Sequence, residues 1–406
     1  MRGYKGFFAS FVFLVVSLLA GSAHAQLAAG CSCPAGTIVS GSQCASTGVP
    51  IVLSAPVCTG SSSAISQSVR SVAVSQQQLS FSNIQTMLEG RRDQLQNAHL
   101  TATPLGYANE EALGYAATGR SRNAFASIPF KAPASAIPAG PSWASWAEGL
   151  GDWRRDSAVT AADSNHFAQT YGAQGGVDAT WQSLSSANDA LVVGLVASWM
   201  TSRVTYDGSP VSLQLKGPGV GLYGTYLRGN FSTDLAVKTD FLTMDEDFSG
   251  LSPNASISAT NFGVTGNAQY KIMTGTASFV EPTGGFSFTR TDFGGGAAAL
   301  DLKDASTLRL QAGLRFGTST KIGDTTAEPT LKVLAYDNVV AEGSSIAADT
   351  PGAAIVPTDQ GKVRGEVDPA VNFDFGHGYS SNISGQVVFG EALVGGGLTA
   401  QLRKQW

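Results

Sequence analysis

From residue 142 to the C-terminus, apolar and polar residues alternate with a period of two. In 171–181, one face is apolar and the other carries polar residues, and 231–241, 307–316 and 363–375 repeat this pattern. Successive side chains of a strand point to opposite faces, so each segment predicts a strand with one apolar and one polar face. We predict strands near 142–153, 166–182, 189–201, 216–228, 230–243, 255–270, 275–290, 305–317, 326–337, 362–375, 380–390 and 394–406.

The length of these segments favours a membrane barrel over a soluble sandwich, which would give the same alternation with its apolar faces turned inward. Soluble strands usually have about five or six residues, whereas a tilted membrane strand needs roughly 9 to 11. Aromatic residues near segment ends are typical of the girdles of such barrels: Trp143, Trp153, Trp181, Trp199, Tyr270 and Trp406. We therefore predict an all-β transmembrane barrel of about twelve antiparallel strands, preceded by a short helical, Cys-containing N-terminal segment.

The polar face of the predicted strands carries most of their charged residues. If the apolar face meets lipid, these residues line the lumen, where they hydrate the pore and hydrogen-bond a segment that passes through it. We expect this position for Asp178, Asp234, Lys238, Asp240, Arg309, Arg315, Arg364, Glu366, Asp368, Asp374 and Arg403. A barrel interior must be polar in any case, so the set identifies no substrate.

The chain stops on an aromatic residue in the middle of an alternating segment. Leu398, Ala400, Leu402 and Trp406 oppose Thr399, Gln401 and Arg403 there. Ending a chain within a strand makes sense if that strand closes a ring, because an open edge in lipid would leave backbone groups unpaired.

The N-terminus has the features of a secretory signal peptide over residues 1–25. Arg2 and Lys5 precede the apolar run 7–20, and Ala23-His24-Ala25 is a small-x-small cleavage site. A lipoprotein cut before Cys31 is disfavoured, because the leucine of the lipobox-like 27–31 lies one position too far from the cysteine.

The four cysteines of the chain all lie in residues 26–61, which we predict to be a small Gly/Ser-rich module. An even number in an exported segment predicts disulfides. The candidates are Cys31, Cys33, Cys44 and Cys58, and three pairings remain open. Zinc is disfavoured, because the spacing has no paired CxxC motifs and the mature segment has no nearby histidine.

Residues 62–122 have a helical pattern and are predicted to be exported with this module. Apolar residues recur at three- and four-residue steps over 62–100, with an interruption predicted at Gly90. Gln76 and Asn83 stand where a sustained heptad would need apolar residues, so a strong coiled coil is disfavoured. A second short helix is predicted at 109–118, and the Ala/Pro-rich 123–141 is a linker to the barrel domain, 142–406.

Composition and motifs give no sign of an enzyme. Only 14% of residues are charged and the net charge is −5, so no nucleic-acid partner is expected. No hydrolase, metalloprotease or phosphate-loop motif is present, and His166 beside Asp163 and Ser164 is the best of the weak catalytic candidates. The G-x-G-x-x-G at 219–224 is followed by a strand instead of a helix, which disfavours a dinucleotide site. We expect no cofactor and no metal.

Several segments together resemble the autotransporter β-domain family over residues 142–406. They are Trp143 to Gly149, Gly172 to Trp181, Asp189 to Leu195 and Gly219 to Tyr226, with the terminal aromatic. The resemblance implies a barrel in the outer-membrane lipid of a Gram-negative bacterium, with the chain's own N-terminal segment in the lumen and type V secretion of a passenger. It also implies that the barrel-assembly machinery recognises the terminal strand at Leu398, Ala400, Leu402 and Trp406.

We therefore predict a translocator that anchors and exposes residues 26 to about 120 at the cell surface. The segment has no β-helix repeats and no paired asparagines of the kind at which some family members cut themselves, so it is expected to stay attached. The alternative is a porin-like channel with a periplasmic or plugging N-terminal segment, and a third possibility is a soluble secreted β-protein. The ligand of the exposed segment and the identity of the lumen segment remain open.

Overall fold

The structure is a computed structural model, and it describes most of the chain from residue 61 onward. It describes 61–101 and 140–406, except for 158–164, 187, 208–210, 249–256, 296–303 and 343–361, together with short paired segments between 31 and 58. The predicted signal peptide, the predicted helix at 109–118 and nearly all of the predicted linker lie outside these residues. The chain divides into two compact units, Met1–Gly60 and Ser61–Trp406.

The first unit contains small antiparallel pairings within the predicted Cys-containing module. Cys31–Ser32 pairs with Val57–Cys58, so that Cys31 lies opposite Cys58. Thr37–Ser40, Gln43–Ser46 and Leu53–Ser54 form a three-stranded sheet. The disulfide pairing stays a prediction.

The second unit is built from twelve long strands within the described residues, and each of the twelve predicted ranges overlaps one of them. They are β1 (Ser142–Asp156), β2 (His166–Gln182), β3 (Asp189–Tyr206), β4 (Val211–Arg228), β5 (Phe231–Phe248), β6 (Ile257–Tyr270), β7 (Ser278–Gly295), β8 (Ala305–Thr318), β9 (Thr325–Glu342), β10 (Arg364–Gly376), β11 (Tyr379–Gly390) and β12 (Leu393–Gln405). Ile272–Met273 and Thr320–Ile322 are short additions to their hairpins.

These strands form a closed antiparallel barrel, as predicted. Each strand pairs with its neighbours in sequence, and β12 pairs with β1 to complete the ring. The backbone N–H of Trp406 donates to the carbonyl of Trp143 at 3.0 Å, which continues this seam to the last residue. Closure leaves no strand edge unpaired, which a structure surrounded by lipid requires.

The two ends of the barrel differ in their connections. The end that holds Ser142 and Trp406 carries short turns such as 229–230 and 377–378, and we call it the turn end. The opposite end carries the longest connections, up to 343–363, and we call it the loop end.

The outer face of the barrel is apolar. Outward side chains such as Leu195, Leu222 and Leu398 are half or more exposed, at 56%, 56% and 65%. Trp143, Tyr270 and Trp406 mark the turn end of this surface, and Trp199 lies nearer the loop end. A continuous apolar belt bounded by aromatic residues fits a hydrocarbon environment and is unfavourable in water.

A single long helix, α1 (Ser61–Thr101), precedes the barrel and runs through its lumen. Val72 packs near the loop end with Tyr206 and Met244, whereas Leu95 packs near the turn end with Leu227. The helix therefore runs from the loop end toward the turn end. No helix among the described residues is long and apolar enough to cross a membrane.

The predicted interruption at Gly90 is wrong, because α1 is continuous through this residue. A Cβ at Gly90 would lie 2.9 Å from Oδ1 of Asn372 on β10. The glycine therefore serves a close approach between the helix and the barrel wall. Its cost in helix propensity, about 1 kcal/mol relative to alanine, is offset by the packing of buried neighbours such as Leu88 and Arg92.

Several strands extend farther at the loop end than the alternation predicts. β4 begins at Val211 instead of 216, and β5 ends at Phe248 instead of 243. In these extensions the apolar residues point into the lumen and the polar residues point outward, which is the reverse of the pattern in the rest of the strand. Leu213 and Leu215 are buried inside, whereas Gln214 and Lys216 lie on the outer side.

Candidate functional site: the interface between the helix and the lumen

The structure buries most of the residues predicted to line the lumen. Nine of the eleven are at most 8% exposed: Asp178, Asp234, Lys238, Asp240, Arg309, Arg315, Glu366, Asp368 and Arg403. Arg364 is half-buried and Asp374 is exposed. The buried members meet α1 or one another, and the helix supplies partners that the strand pattern alone does not identify.

Arg92 of α1 joins two strands near the turn end. Its guanidinium lies 2.7 Å from a carboxylate oxygen of Asp234 on β5 and 3.0 Å from one of Glu281 on β7. Gln269 also donates to Asp234, at 2.7 Å. Arg92 and both acids are nearly fully buried, so each charge depends on its partners for solvation.

The next helix residue, Asp93, carries the opposite charge and faces the opposite set of partners. It accepts hydrogen bonds from Lys271, at 2.7 Å, and from Arg315 on β8. Arg315 also approaches Glu281, at 3.5 Å, and therefore connects this group to the Arg92 group. Adjacent helix residues of opposite sign thus fix both the height and the rotation of α1 in the lumen.

A second buried group crosses the seam at which the barrel closes. Arg403 on β12 donates to both carboxylate oxygens of Asp178 on β2, at 2.8 and 2.5 Å, and so reaches across β1. Tyr223 donates to Asp178 at 3.0 Å, and the indole N–H of Trp146 donates to Tyr223 at 2.6 Å. These bonds link β12, β1, β2 and β4 independently of the backbone ladder.

The middle of α1 presents amides and hydroxyls to the wall. Gln76 accepts from Ser202, at 3.0 Å, and Asn83 accepts from Thr399, at 3.0 Å. Ser80 donates to the side chain of Gln174 at 2.7 Å. Gln76 and Asn83, which disfavour a coiled coil, are therefore buried and hydrogen-bonded to polar side chains of the lumen wall. The helix is polar because its surroundings are polar.

The loop end of the lumen is apolar along β2 to β6, which the sequence analysis missed. Val72 and Ala73 of α1 pack there against buried residues of β2 to β6. These are Ala168, Val204, Tyr206, Leu213, Leu215, Leu242, Met244, Ile257 and Ala259. The signal in the sequence was the reversed alternation at 211–216, where the apolar residues belong to the face that is polar farther along the strand.

The close seating of α1 depends on a glycine of the wall. A Cβ at Gly263 on β6 would lie 2.7 Å from side-chain atoms of Gln77 and Phe81. The amide of Gln77 donates at 3.2 Å to the carbonyl of Lys238 on the neighbouring strand. The missing side chain thus lets the helix touch the backbone of the barrel.

The described residues contain no cluster of three His, Cys, Asp or Glu side chains with the geometry of a metal site. His166 lies beside Asp156, at 3.3 Å, and the predicted neighbours Asp163 and Ser164 lie outside the described residues. Gly219 and Gly224 lie within β4, where Gly219 makes room for Lys238 and Asp240. The geometry of the lumen therefore points to binding of α1.

The comparison with protein families decides the classification. The profile described as "Autotransporter beta-domain" matches residues 145–386, more than half of the chain. The chain belongs to the autotransporter β-domain family. Autotransporter β-domains are outer-membrane barrels of Gram-negative bacteria that serve type V secretion, and their translocator domains are not catalytic.

One solved autotransporter β domain has the same fold, and two further autotransporter structures are less similar. The β domain of the Bordetella autotransporter Brka has a TM-score of 0.52 at 16% identity, covering 66% of this chain and all of that one. The translocator domain of NalP from Neisseria meningitidis has a TM-score of 0.47 at 12% identity, covering 66% and 90%. The transport unit of AIDA-I from Escherichia coli has 0.48 at 10% identity, covering 69% and 93%. No curated protein sequence matches the chain.

Proposed function

We propose that the barrel anchors this autotransporter in the outer membrane and that α1 holds the segment before it, residues 26–60, on the cell surface. The direction of α1 carries the proposal, because the helix enters at the loop end and ends at the turn end. In outer-membrane barrels the longer connections face outward and the short turns face the periplasm. Since 71–96 lie inside the lumen, the exposed segment is shorter than the sequence alone suggested.

We further propose that this segment stays attached to the barrel after export. Arg92 is held by Asp234 and Glu281, and Asp93 is held by Lys271 and Arg315. Withdrawing α1 would deprive these buried wall charges of their ion-pair partners on the helix. The chain also contains none of the paired asparagines used for release elsewhere in the family. The retained helix leaves no wide pore, which disfavours the porin-like alternative.

Protease treatment of intact cells tests the position of the N-terminal segment. An epitope inserted after Gln26 should be removed while the barrel stays intact. The same epitope in the turn 274–277 should resist protease until the membrane is opened, and it serves as the matched control. If both epitopes are protected on intact cells, surface exposure is wrong.

The outward residues of the last strand are proposed as the signal for the barrel-assembly machinery. Leu398, Leu402 and Trp406 are 65%, 58% and 65% exposed, and Ala400 shares their face, so no internal partner explains them. Trp406→Ala should lower the amount of folded barrel in the outer membrane, whereas Trp199→Ala, another outward aromatic, should have little effect. Equal losses in both variants would point to general destabilisation and contradict the proposal.

We also propose that the four cysteines form two disulfides and that the protein has no catalytic activity of its own. The opposition of Cys31 and Cys58 in an antiparallel pair supports one of the pairings. Mass spectrometry of unreduced peptides from the protein extracted from outer membranes would identify the linked cysteines. Four free thiols would contradict the disulfides.

A further inference from the structure

The ring closes at one interface that differs from the other eleven. β12 and β1 pair although they are the last and first strands of the barrel, whereas every other interface between the twelve long strands joins strands that are consecutive in the chain. β12 is tied to β11 by the short turn 391–392, which fixes its register on that side. The register of β12 against β1 is set by no such turn.

The backbone of this seam specifies its own register only weakly, because small residues occupy much of both strands and Gly-rich strands are prone to slip. These residues are Ala144, Ser145, Ala147, Gly149 and Gly151 on β1, and Gly395, Gly396, Gly397 and Ala400 on β12. A slip of one residue would turn the apolar face inward, but a slip of two keeps every side chain on its own face. Leu398 and Leu402, which are more than half exposed, would still point outward after it.

One side chain of β12 distinguishes these registers. Arg403 lies opposite Trp146, and its guanidinium donates to both carboxylate oxygens of Asp178, at 2.8 and 2.5 Å. Neither side chain of this pair is more than 5% exposed. A slip of two residues would bring a neutral side chain, Gln401 or Gln405, to the position of the arginine. It would deprive Asp178 of its ion-pair partner in a buried site, which is strongly unfavourable.

A second buried acid marks a competing register. Glu148 on β1 faces the lumen and is 5% exposed. Within the described residues its partners are the amides of Gln174 and Gln401, and it forms no ion pair. A slip of two residues in one direction would place Arg403 directly opposite Glu148, where cross-strand side chains are close enough to pair. The wall therefore offers Arg403 two acids, and the arginine bonds to Asp178.

The favoured acid is held in place by residues that do not belong to the last strand. Tyr223 donates to Asp178 at 3.0 Å, and the indole N–H of Trp146 donates to Tyr223 at 2.6 Å. These three residues lie on β4, β2 and β1, which pair with one another or through β3 without β12. The acceptor for the arginine can therefore form before the last strand arrives.

From this arrangement we propose that Arg403 selects the register in which the ring closes, by pairing with Asp178 in preference to Glu148. The choice matters beyond the seam, because the stagger of a closed barrel is linked to its strand tilt and its diameter. A barrel closed two residues out of register would have a lumen of different shape around α1. The inward face of the last strand thus specifies the lumen, in addition to the assembly signal proposed for its outward face.

Competing disulfides report the register directly. Ala400→Cys, Gly149→Cys and Gly151→Cys are introduced together into the full-length chain, and a Cβ at either glycine meets no atom within 4 Å. Ala400 lies opposite Gly149 in the observed register. After the slip that brings Arg403 to Glu148, it would lie opposite Gly151. Opposed residues can form a disulfide, whereas a neighbour two residues farther along, at about 7–8 Å, is too distant.

The protein is refolded from urea into lipid vesicles, shown to be folded by its heat-dependent shift in gel migration, and only then oxidised. Mass spectrometry gives the ratio of slipped to native disulfide and separates both from products of the four natural cysteines. Without further changes, the native disulfide should predominate. Asp178→Asn should raise the ratio at least roughly tenfold, because Arg403 then finds a buried acid only in the slipped register.

Two further variants separate register selection from general destabilisation. Glu148→Gln, added to Asp178→Asn, removes the acid of the slipped register and should lower the ratio again. Arg309→Met breaks another buried ion pair, Arg309–Glu366 at 2.8 Å, which joins β8 to β10 away from the seam, and it should leave the ratio unchanged. If Asp178→Asn does not fold, Arg403→Lys takes its place. It keeps the charge but loses the paired hydrogen bonds, and it should also raise the ratio.

The proposal is overturned if the folded Asp178→Asn protein, or the Arg403→Lys protein that replaces it, forms only the native disulfide. It is also overturned if Arg309→Met raises the ratio as much, or if adding Glu148→Gln does not lower it. Refolding takes place without the assembly machinery and without a cell surface. A failure here therefore leaves surface display and the outward signal of the last strand unaffected.

Discussion

The two ends of the lumen hold the same helix by different physical means. At the loop end, Val72 and Ala73 are surrounded by apolar side chains such as Leu213 and Ile257. At the turn end, Arg92 and Asp93 are surrounded by buried charges. Apolar contacts are non-directional and exclude water, whereas ion pairs require particular partners at particular positions. The apolar cluster at the loop end therefore excludes water between α1 and β2 to β6, and the turn end sets the register of the helix.

The comparison predicts that the charged end is the more sensitive to a single change. Arg315→Met leaves Asp93 and Glu281 without a shared cation in a buried site, and we expect a loss of about 3–5 kcal/mol in the free energy of unfolding. Urea titration in lipid vesicles, followed by tryptophan fluorescence, measures it. Arg315→Lys keeps the charge and should lose less. An unchanged midpoint for Arg315→Met would show that the network does not hold the helix.

At the apolar end, the expected loss is smaller. Ile257 is fully buried beside Met244, and Ile257→Ala should lower the free energy of unfolding by about 2–4 kcal/mol. The same titration measures the change, and Ile257→Val should cost about 1 kcal/mol. If Ile257→Ala is as stable as the wild type, the apolar cluster is a loosely packed region.

The wall between the two ends provides a third test. Gly263→Ala places a methyl group 2.7 Å from Gln77 and Phe81, so these side chains or the helix must shift. We expect a loss of about 1–3 kcal/mol, as for other overpacked sites. Gly229, which lies in a turn with no atoms within 4 Å of the added Cβ, is unsuitable as a control because its φ is +61°. Gly149→Ala, at an open position with ordinary φ, should be nearly neutral and serves instead.

The smallest effect is expected on the outer surface. Lys216 and Asp245 form an ion pair of 2.6 Å in which both side chains are more than 40% exposed. Exposed pairs contribute about 0–1 kcal/mol, so Lys216→Ala should barely change the urea midpoint. A loss comparable to that of Arg315→Met would mean that burial does not distinguish the two kinds of ion pair.

The alternation of apolar and polar residues is sufficient to predict the barrel and its twelve strands, because the membrane imposes one rule on the whole outer face. The rule fails where the wall leaves the membrane. At Leu213 and Leu215 the apolar residues turn inward to meet α1, and Gln214 turns outward. A prediction that keeps the apolar residues on the outer face along the whole of β4 therefore begins this strand too late in the sequence. The strand end and the apolar cluster were missed for this one reason.

Charge on the polar face was predictable in position but not in pairing. Two strands, β6 and β7, lie between those of Asp234 and Arg315, and nothing in the strand pattern indicates that Arg92 and Asp93 connect them. Gly90 misled the helix prediction because propensity concerns an isolated helix. The lumen buries neighbouring residues such as Leu88 and Arg92, and the helix continues.

The many amides and hydroxyls of α1 have a consequence for how the protein reaches its final state. A segment that becomes an internal part of a membrane protein is ordinarily insoluble by itself. This one carries Gln76, Gln77, Ser80 and Asn83 on surfaces that are dry at the end of assembly. Such a peptide dissolves before it docks, so the chain avoids an aggregation-prone stage while the ring around it is still open.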